Sequence, residues 1–565
     1  MAVKRRKKHG RVYLEEYKTI RVNGKVKSVY VRSLGPEDPV TKKPRPRPKV
    51  FDRLEHGPSH RAGDVALLWE LARELDMVDI IDGICCEGTG LEGPTPGKLL
   101  TAWAINRALD PVSNTRLENW IPTTDLPRLM GLSPADFTRE SLLTTLDFVC
   151  YEDPASGRFR DLTRDIDDAL YRRWRRLHPL PPGERETLAY DLTSVLFFGV
   201  SCPMAELGYN PKRIKRRQVN LALVVSRLDR FPLLHFVYEG SRNGTSTVQN
   251  LISGLQGSSV EPGTLIWDRG NVSKAHVEAA QAAGWHLVCG VPKSVKAAVA
   301  LLEATDVRCT HRTLARGSKA GHIYARKLRG RLYGGERDLV MYTNRERGVR
   351  EADARNEALA TIEEDLQALA GRVGSRGERW IREEASKIIG EYKDYVKPRV
   401  RRKGDGPRLS WSYKERDIRD LERTDGKWLL LCTDPELSAK GVVNIYLEKD
   451  FIEKVFRKLK SSEELEPVRH RLERRVRAYL FLCVLAYRLL AVLQHRLREV
   501  SERDDTWERA DTLLQDLGRV ERVQVRLGRQ VKSWYLNVNG NSRDVLDKMG
   551  YKKLLKETVE VDFIM

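Results

Sequence analysis

Apolar and polar positions change period several times along this chain. RVYLEEYKTIRVNGKVKSVYVRSLG (11–35) alternates apolar and polar residues on both sides of Asn23-Gly24, the pattern of a β-hairpin. The Pro- and Lys/Arg-rich stretch VTKKPRPRPKV (40–50) reads as a linker, and fits either a phosphate-tracking segment or a solvated tail. Between about 60 and 180 the apolar spacing becomes helical. ALLWELARELDMVDIIDGI repeats apolar residues at helical intervals and stops at a glycine, and TPGKLLTAWAINRALDPVSNTRLENWI, FTRESLLTTLDFVC and RDLTRDIDDALYRRWRRLH continue the pattern. Short helices with basic faces suit a DNA-binding region, and a plain scaffold bundle would carry the same pattern.

Strand-type runs return near residue 187. TLAYDLTSVLFFG, VNLALVVS and FPLLHFVYEG predict three successive antiparallel strands. A helix (SRNGTSTVQNLISGLQG), the strand TLIWD, the helix SKAHVEAAQAAGW and the strand HLVCGVP follow. The order β-β-β-α-β-α-β is, by analogy, that of a ribonuclease-H-like core. The fold class expected is therefore α/β, a mixed sheet with flanking helices interrupted by an inserted domain. The divisions are a small basic β-rich module (1–50), a helical DNA-binding region (51–184), the catalytic core (185–295 and 426–500), the insertion (296–425) and a mixed C-terminal region (501–565). Within the insertion GHIYARKLRGRLYGGERDLVMYTN is β-like and READARNEALATIEEDLQALAGRV helical, and KWLLLCTD returns to the core.

Charge adds a partner to this outline. The 565 residues hold 100 Lys+Arg against 79 Asp+Glu, a net charge of +21, which favours polyanions such as phosphate backbones. With 41% hydrophobic and 32% charged residues, the chain has the composition of a folded soluble protein. Its eight cysteines form no CxxC pair, which argues against a zinc site or disulfide framework and fits a reducing compartment. The basic N-terminus lacks an apolar signal segment, and Ala478–Leu493 is short for a bilayer and contains Arg488, so a buried helix is expected there. These features point to a cytoplasmic, nucleoid-associated protein without membrane contact.

Three acids carry the candidate chemistry. Asp191 (AYDLTSVLFF) and Asp268 (GTLIWDRGNVS) interrupt or close apolar strands, and Glu453 (YLEKDFIEKVFRKLK) lies on an expected helix. Carboxylates delivered to one place suit Mg²⁺, a hard cation that prefers oxygen ligands, and paired ions promote in-line attack on phosphodiesters. Tyr446, Glu453 and Lys460 are spaced by sevens, with Lys449 four before Glu453. On one continuous helix all four share a side, because a heptad step drifts only about 20°. Phe451, Ile452, Val455 and Leu459 then form the opposite, apolar side. An ordinary amphipathic surface helix explains that spacing alone, and the two preceding strand-end aspartates favour the functional reading.

The Tyr446–Lys449–Glu453–Lys460 pattern resembles the Tyr-x2-Arg-x3-Glu-x6-Lys signature of bacterial insertion-sequence transposases of the DDE class, in the long members with a large insertion before the catalytic Glu. YDLTSVLFFG resembles their first-Asp strand and WDRGNVS their second-Asp turn. AINRALDPVSNTRLENW resembles the helical region before the core. The signature's Arg is Lys449 here, which keeps the charge but loses the bidentate fork. The resemblance implies Asp191, Asp268 and Glu453 as catalytic residues and ligands of two Mg²⁺ ions, with Mn²⁺ able to substitute. It also implies Tyr446, Lys449 and Lys460 as contacts to DNA phosphate. The activity it implies is binding of terminal inverted repeats, cutting of the element's ends and joining of the 3′ ends to target DNA. The implied partners are double-stranded DNA and a second copy of the chain. Two alternatives share these residues: a related nuclease or resolvase, and a catalytically silent transposase-derived DNA-binding protein. The basic runs Lys212–Arg217 and Lys397–Lys403 read either as DNA contacts or as solvated faces, and 350–373 as a helix that pairs between chains or folds back on itself.

Overall fold

The computed structural model describes residues 2–8, 11–22, 25–44, 54–86, 93–210, 214–242, 244–307, 312–313, 322–374, 376–403, 406–461, 465–500, 506–527, 530–556 and 558–561. The Asn23-Gly24 turn, residues 45–50 of the linker and Lys212 and Arg213 of the first basic run lie outside them. The chain divides into two compact units, one of residues 1–69, 119–134 and 496–565, the other of 70–118 and 135–495.

The second unit is built on a ten-stranded sheet among the described residues. Across it lie Pro232–Glu239, Arg217–Ser226, Thr187–Leu196, Thr264–Trp267 and His286–Val291, then Lys427–Cys432, Gly335–Asn344, Ile323–Leu332 and Arg312–Thr313, with Glu206–Leu207 paired to Arg217–Ser226. The first three strands in sequence are antiparallel neighbours, while Thr264–Trp267 runs parallel to Thr187–Leu196 and to His286–Val291. The five-strand order 3-2-1-4-5 is that of a ribonuclease-H-like core, as expected. VNLALVVS shows no alternation because Val219 to Ser226 is buried on both faces. On one face Leu188, Tyr190, Leu265 and Trp267 pack with Val248 and Leu251 of helix Gly244–Gln256 and Val277 of helix Lys274–Ala282. On the other, Ile266, Val288, Val340 and Leu430 pack with Val442, Val443 and Ile445 of helix Ala439–Glu448.

The insertion is narrower than the sequence suggests. Ile323–Leu332 and Gly335–Asn344 belong to the central sheet, the latter pairing with Lys427–Cys432. Leu339 to Tyr342 are consecutive buried residues, so that strand needs cover on both faces, which a sheet interior supplies. Outside the sheet stand helices Arg345–Gly371, Glu378–Ile389 and Glu415–Thr424 and the hairpin Val396–Lys403/Gly406–Tyr413. The first two of these helices and the hairpin share a core of Ile362, Leu366, Leu369, Ile381, Ala385 and Val400 among others. The helix starting at Arg345 carries residues 350–371 of the 350–373 stretch.

The apolar run around Cys483 is one helix, Glu473–Glu499, whose most hydrophobic window is 94% buried in the protein, the position of a core helix. Arg488 on it is fully buried against Asp167. Cys85, Cys86, Cys150, Cys202, Cys289, Cys432 and Cys483 are all free thiols. The helical pattern near residue 75 is two helices, Gly63–Glu74 and Met77–Cys85, because Asp76 between them turns left-handed at φ 50°.

The first unit holds two sheets. Ala2–Lys8, Arg11–Val22 and Lys25–Pro36 form an antiparallel three-stranded sheet. Leu54–Arg61 joins Glu521–Leu527, Gln530–Leu536 and Thr558–Val561 in another, so segments far apart in the chain share one sheet. Arg522 is buried there, its Nε donating to Asp125 Oδ1 at 2.7 Å and its Nη1 to Ser533 Oγ at 3.1 Å. Arg522→Lys keeps the charge but loses the forked geometry that serves both acceptors. It is expected to cost about 1.5–3 kcal/mol in urea unfolding of this unit, the range for hydrogen bonds to charged groups.

Candidate active site

Register brings the two aspartates side by side. In the parallel pair, Ala189 lies opposite Ile266, and Asp191 and Asp268 each stand two residues further in the same direction. A two-residue step returns a side chain to the same face, so both share the face that carries Ile266. They sit at the carboxyl end of the parallel strands, where open α/β sheets receive ligands.

Asp191 is half-buried, and the backbone N–H of Leu192 donates to its Oδ1 at 2.8 Å. Burial pushes its carboxyl up to about 6. The Leu192 N–H and the Lys449 ammonium oppose that rise, and the carboxylates of Asp268 and Glu453 add to it. Asp191 thus feels the charge of both other acids.

Asp268 is 52% exposed and caps the short turn Arg269–Asn271, accepting from Arg269 N at 2.9 Å. Tyr446 Oη donates to its Oδ1 at 3.3 Å, and Lys449 Nζ lies 3.6 Å from the same oxygen. Lys449 Nζ also stands 5.4 Å from the Tyr446 ring centre. Burial, then the Asp268 charge, push the Tyr446 phenol above its ordinary range, so it remains a protonated donor.

Helix Asp450–Ser461 delivers Glu453. Phe451, Ile452, Val455, Phe456 and Leu459 are buried, and Glu453 is exposed on the other side. The single helix expected across 446–460 is two. Ala439–Glu448 ends at Lys449, where Lys449 N bonds to Tyr446 O (3.3 Å) and Ile452 N to Lys449 O (3.0 Å), three-residue steps that bend the chain. Tyr446 therefore lies off the Glu453 helix and meets Asp268 from the preceding one.

Lys460 lies seven residues beyond Glu453 on the same helix. Its Nζ donates to the Ser194 carbonyl on the Asp191 strand and lies 3.5 Å from Glu466, which also accepts from Leu196 N at 3.2 Å. The structure thus gathers Asp191, Asp268, Glu453, Tyr446 and Lys449, with Lys460 braced against the strand beneath.

Several supports escaped the sequence reading. Arg227 pairs with Glu448 at 2.5 Å, and the Arg230 guanidinium stacks 3.9 Å from the Phe451 ring centre, so one loop steadies both helices of the bend. Glu466 likewise had no motif to mark it. Gly290 had a detectable signal, a glycine inside an apolar strand, which indicates close approach by another group. A Cβ there would stand 2.4 Å from Tyr446 Oη and 3.2 Å from Arg269 Cβ. Gly290→Ala should therefore displace the phenol and lower any activity of the site about 10- to 100-fold. In a Tyr446→Phe background, which removes the clashing oxygen, the further loss should be markedly smaller, and a double-mutant cycle measures that coupling.

Oxygen donors only, clustered with like charge and one of them pushed up by burial, match the ligand chemistry of a hard divalent cation. Lys449 alone does not balance three carboxylates. Of the basic runs, Lys397–Lys403 forms one strand of the insertion hairpin and Arg217 opens a core strand.

Residues 182–489, more than half of the chain, match the family model described as a transposase DDE domain. Among solved structures, a piggyBac transposase synaptic complex with hairpin DNA, determined by cryo-EM, is similar at a TM-score of 0.37 and 11% identity, over 89% of this chain and 88% of that one. No curated protein matches the chain.

Proposed function

The chain belongs to the transposase DDE-domain family, and on that premise we propose that it cuts the ends of a mobile DNA element at terminal inverted repeats and joins the freed 3′ ends to target DNA. The observation that carries this reading is the convergence of Asp191, Asp268 and Glu453 at the carboxyl end of two parallel strands, with the Asp191 carboxyl pushed up by burial and further by the other two acids.

Transposases of this class generally use divalent metal ions. Asp191, Asp268 and Glu453 would hold two Mg²⁺, and Mn²⁺ has the same donor preference. When bound, such ions lower the pKa of an attacking water or 3′-hydroxyl and stabilise the leaving oxygen. The remaining residues orient and bind. Tyr446 and Lys449 fix the Asp268 carboxylate from one side, leaving its other oxygen open. Lys449 offers a positive charge to a phosphate beside the acids, as a point charge rather than a fork. Lys460 is the third proposed phosphate contact, and Ser194 and Glu466 compete with a phosphate for its ammonium. Both DNA ends call for an acid set of their own, which supports a homodimer on double-stranded DNA.

Purified protein, a labelled duplex ending in the inverted repeats that flank its gene, and plasmid target test this reading in Mg²⁺ or Mn²⁺. Metal-dependent joining supports it. Cutting without joining replaces it with a nuclease or resolvase, and tight binding without chemistry replaces it with a silent DNA-binding protein.

A further inference from the structure

We propose that the N-terminal three-stranded sheet docks on duplex DNA through one of its two faces, an inference that rests on reading the chain as an enzyme of DNA. Residues 2–36 hold eleven Lys and Arg against two Glu, so nine of the chain's net 21 positive charges sit in this small sheet. Little of it is buried. Leu14 is its only buried large apolar side chain among the described residues, while Val26 (63%), Tyr30 (51%) and Val31 (46%) are open to solvent. A sheet this small ordinarily needs an apolar face packed on something to be stable. The charge on both faces excludes an apolar cover and favours a polyanion.

Register sorts the side chains. Lys4 lies opposite Glu15, Arg6 opposite Tyr13, Lys8 opposite Arg11 and Tyr17 opposite Tyr30, so these residues share a face. At its centre Glu15 is 2% exposed, with Lys8 Nζ at 3.1 Å, Arg6 Nη1 at 3.7 Å and the Tyr17 hydroxyl donating at 2.9 Å. Hydrogen bonds from Tyr17 and then Lys8 hold its carboxyl below the ordinary range, so it stays charged. Lys4 Nζ stands 4.7 Å from the Tyr17 ring centre, and Tyr17 meets Tyr30 edge-on at 5.8 Å. One sunken carboxylate therefore braces cations whose side chains remain 64% (Arg6) and 52% (Lys8) exposed. On the opposite face, Arg5 and Arg32 are taken by Glu37 and Glu16 at 2.5 and 2.7 Å. Three strands span about 10 Å from first to last, and the major groove of B-DNA is about 12 Å wide and accepts β-ribbons.

The test uses the full chain with two triple variants of equal charge change. Lys4→Gln/Arg6→Gln/Arg11→Gln alters the braced face, and Lys18→Gln/Lys25→Gln/Lys27→Gln alters the other. Affinity for a labelled duplex of about 30 base pairs is measured across a salt series. The first triple is expected to bind at least about 10-fold more weakly near 150 mM salt, and to lose about 2–3 from the slope of log K against log salt, at about 0.9 per phosphate contact. The second should stay within about 2-fold. Equal losses in both triples reduce the effect to bulk charge and overturn the proposal, as does no loss in either. A photo-crosslinking residue at Tyr30 should label duplex DNA, while the same residue at Val29, on the other face, should not; the reverse overturns it. Tighter binding to duplex RNA than to duplex DNA overturns it too. Cleavage at saturating DNA is expected to survive in both triples. Absence of chemistry in the unaltered protein counts against the proposed function alone, because the binding comparison is read separately.

Discussion

Asp191→Asn is expected to lower metal-dependent strand cleavage by about three orders of magnitude or more, a barrier increase of about 4 kcal/mol. The variant keeps the size of the side chain and an oxygen for the Leu192 N–H. It loses the charge of the most enclosed acid of the set. Stability should move the other way. Burial pushes the carboxyl up to about 6, so its charged form is disfavoured in the folded protein at neutral pH. A neutral amide relieves that cost, and the melting temperature should hold or rise while activity disappears. Opposite signs in the two measurements mark a residue kept for chemistry at the expense of stability. Parallel losses of activity and stability would instead mark Asp191 as a structural residue. DNA affinity in the absence of metal should hold or rise, since the carboxylate repels phosphate.

The second large effect is on folding. Asp167 of helix Thr163–Leu177 is fully buried between Arg488 of the long apolar helix and His235 of a sheet-edge strand. Arg488 Nη2 donates to Oδ1 at 2.6 Å, His235 Nδ1 lies 2.6 Å from Oδ2, and Arg488 Nε donates to the Pro232 carbonyl at 3.1 Å. Arg488 and then His235 hold the Asp167 carboxyl below its ordinary range despite the burial. Asp167→Ala leaves the guanidinium buried without its counter-charge and is expected to destabilise the sheet unit by about 3–5 kcal/mol in denaturant unfolding. The double variant Asp167→Leu/Arg488→Met should recover much of that loss, because apolar packing often replaces a buried pair without penalty. If the single variant unfolds like the unaltered protein, the triad does not hold helix and sheet together.

Much of the site was legible because it lies in short, strongly patterned segments. TLAYDLTSVL and TLIWD announce strands by their apolar content, and an aspartate that interrupts the first and closes the second stands out against it. The apolar face Phe451, Ile452, Val455 and Leu459 is buried as its spacing predicts. Three features were hidden for identifiable reasons. The bend at Lys449 carries no Gly or Pro and is fixed by tertiary contacts, Arg227 to Glu448 and Arg230 to Phe451. The strands between 323 and 344 were visible as strands, but their place in the central sheet depends on pairing with Lys427–Cys432, far along the chain. The pairing of Leu54–Arg61 with Glu521–Leu527 spans almost the whole sequence, and LEHGPSHR lacks the alternation that marks a strand. Lys460 fell where its spacing put it, yet its partner Glu466 lies beyond the helix, where no period reaches.

End joining in vitro by the unaltered protein beside Asp191→Asn, Asp268→Asn and Glu453→Gln, at DNA concentrations that saturate all four, is the most direct measurement of whether these acids form one catalytic set. Joining by the unaltered protein in Mg²⁺ or Mn²⁺ is expected, with loss of both cutting and joining in each variant while fold and DNA binding are retained. Near-normal joining by any one of the three variants would contradict a single catalytic set.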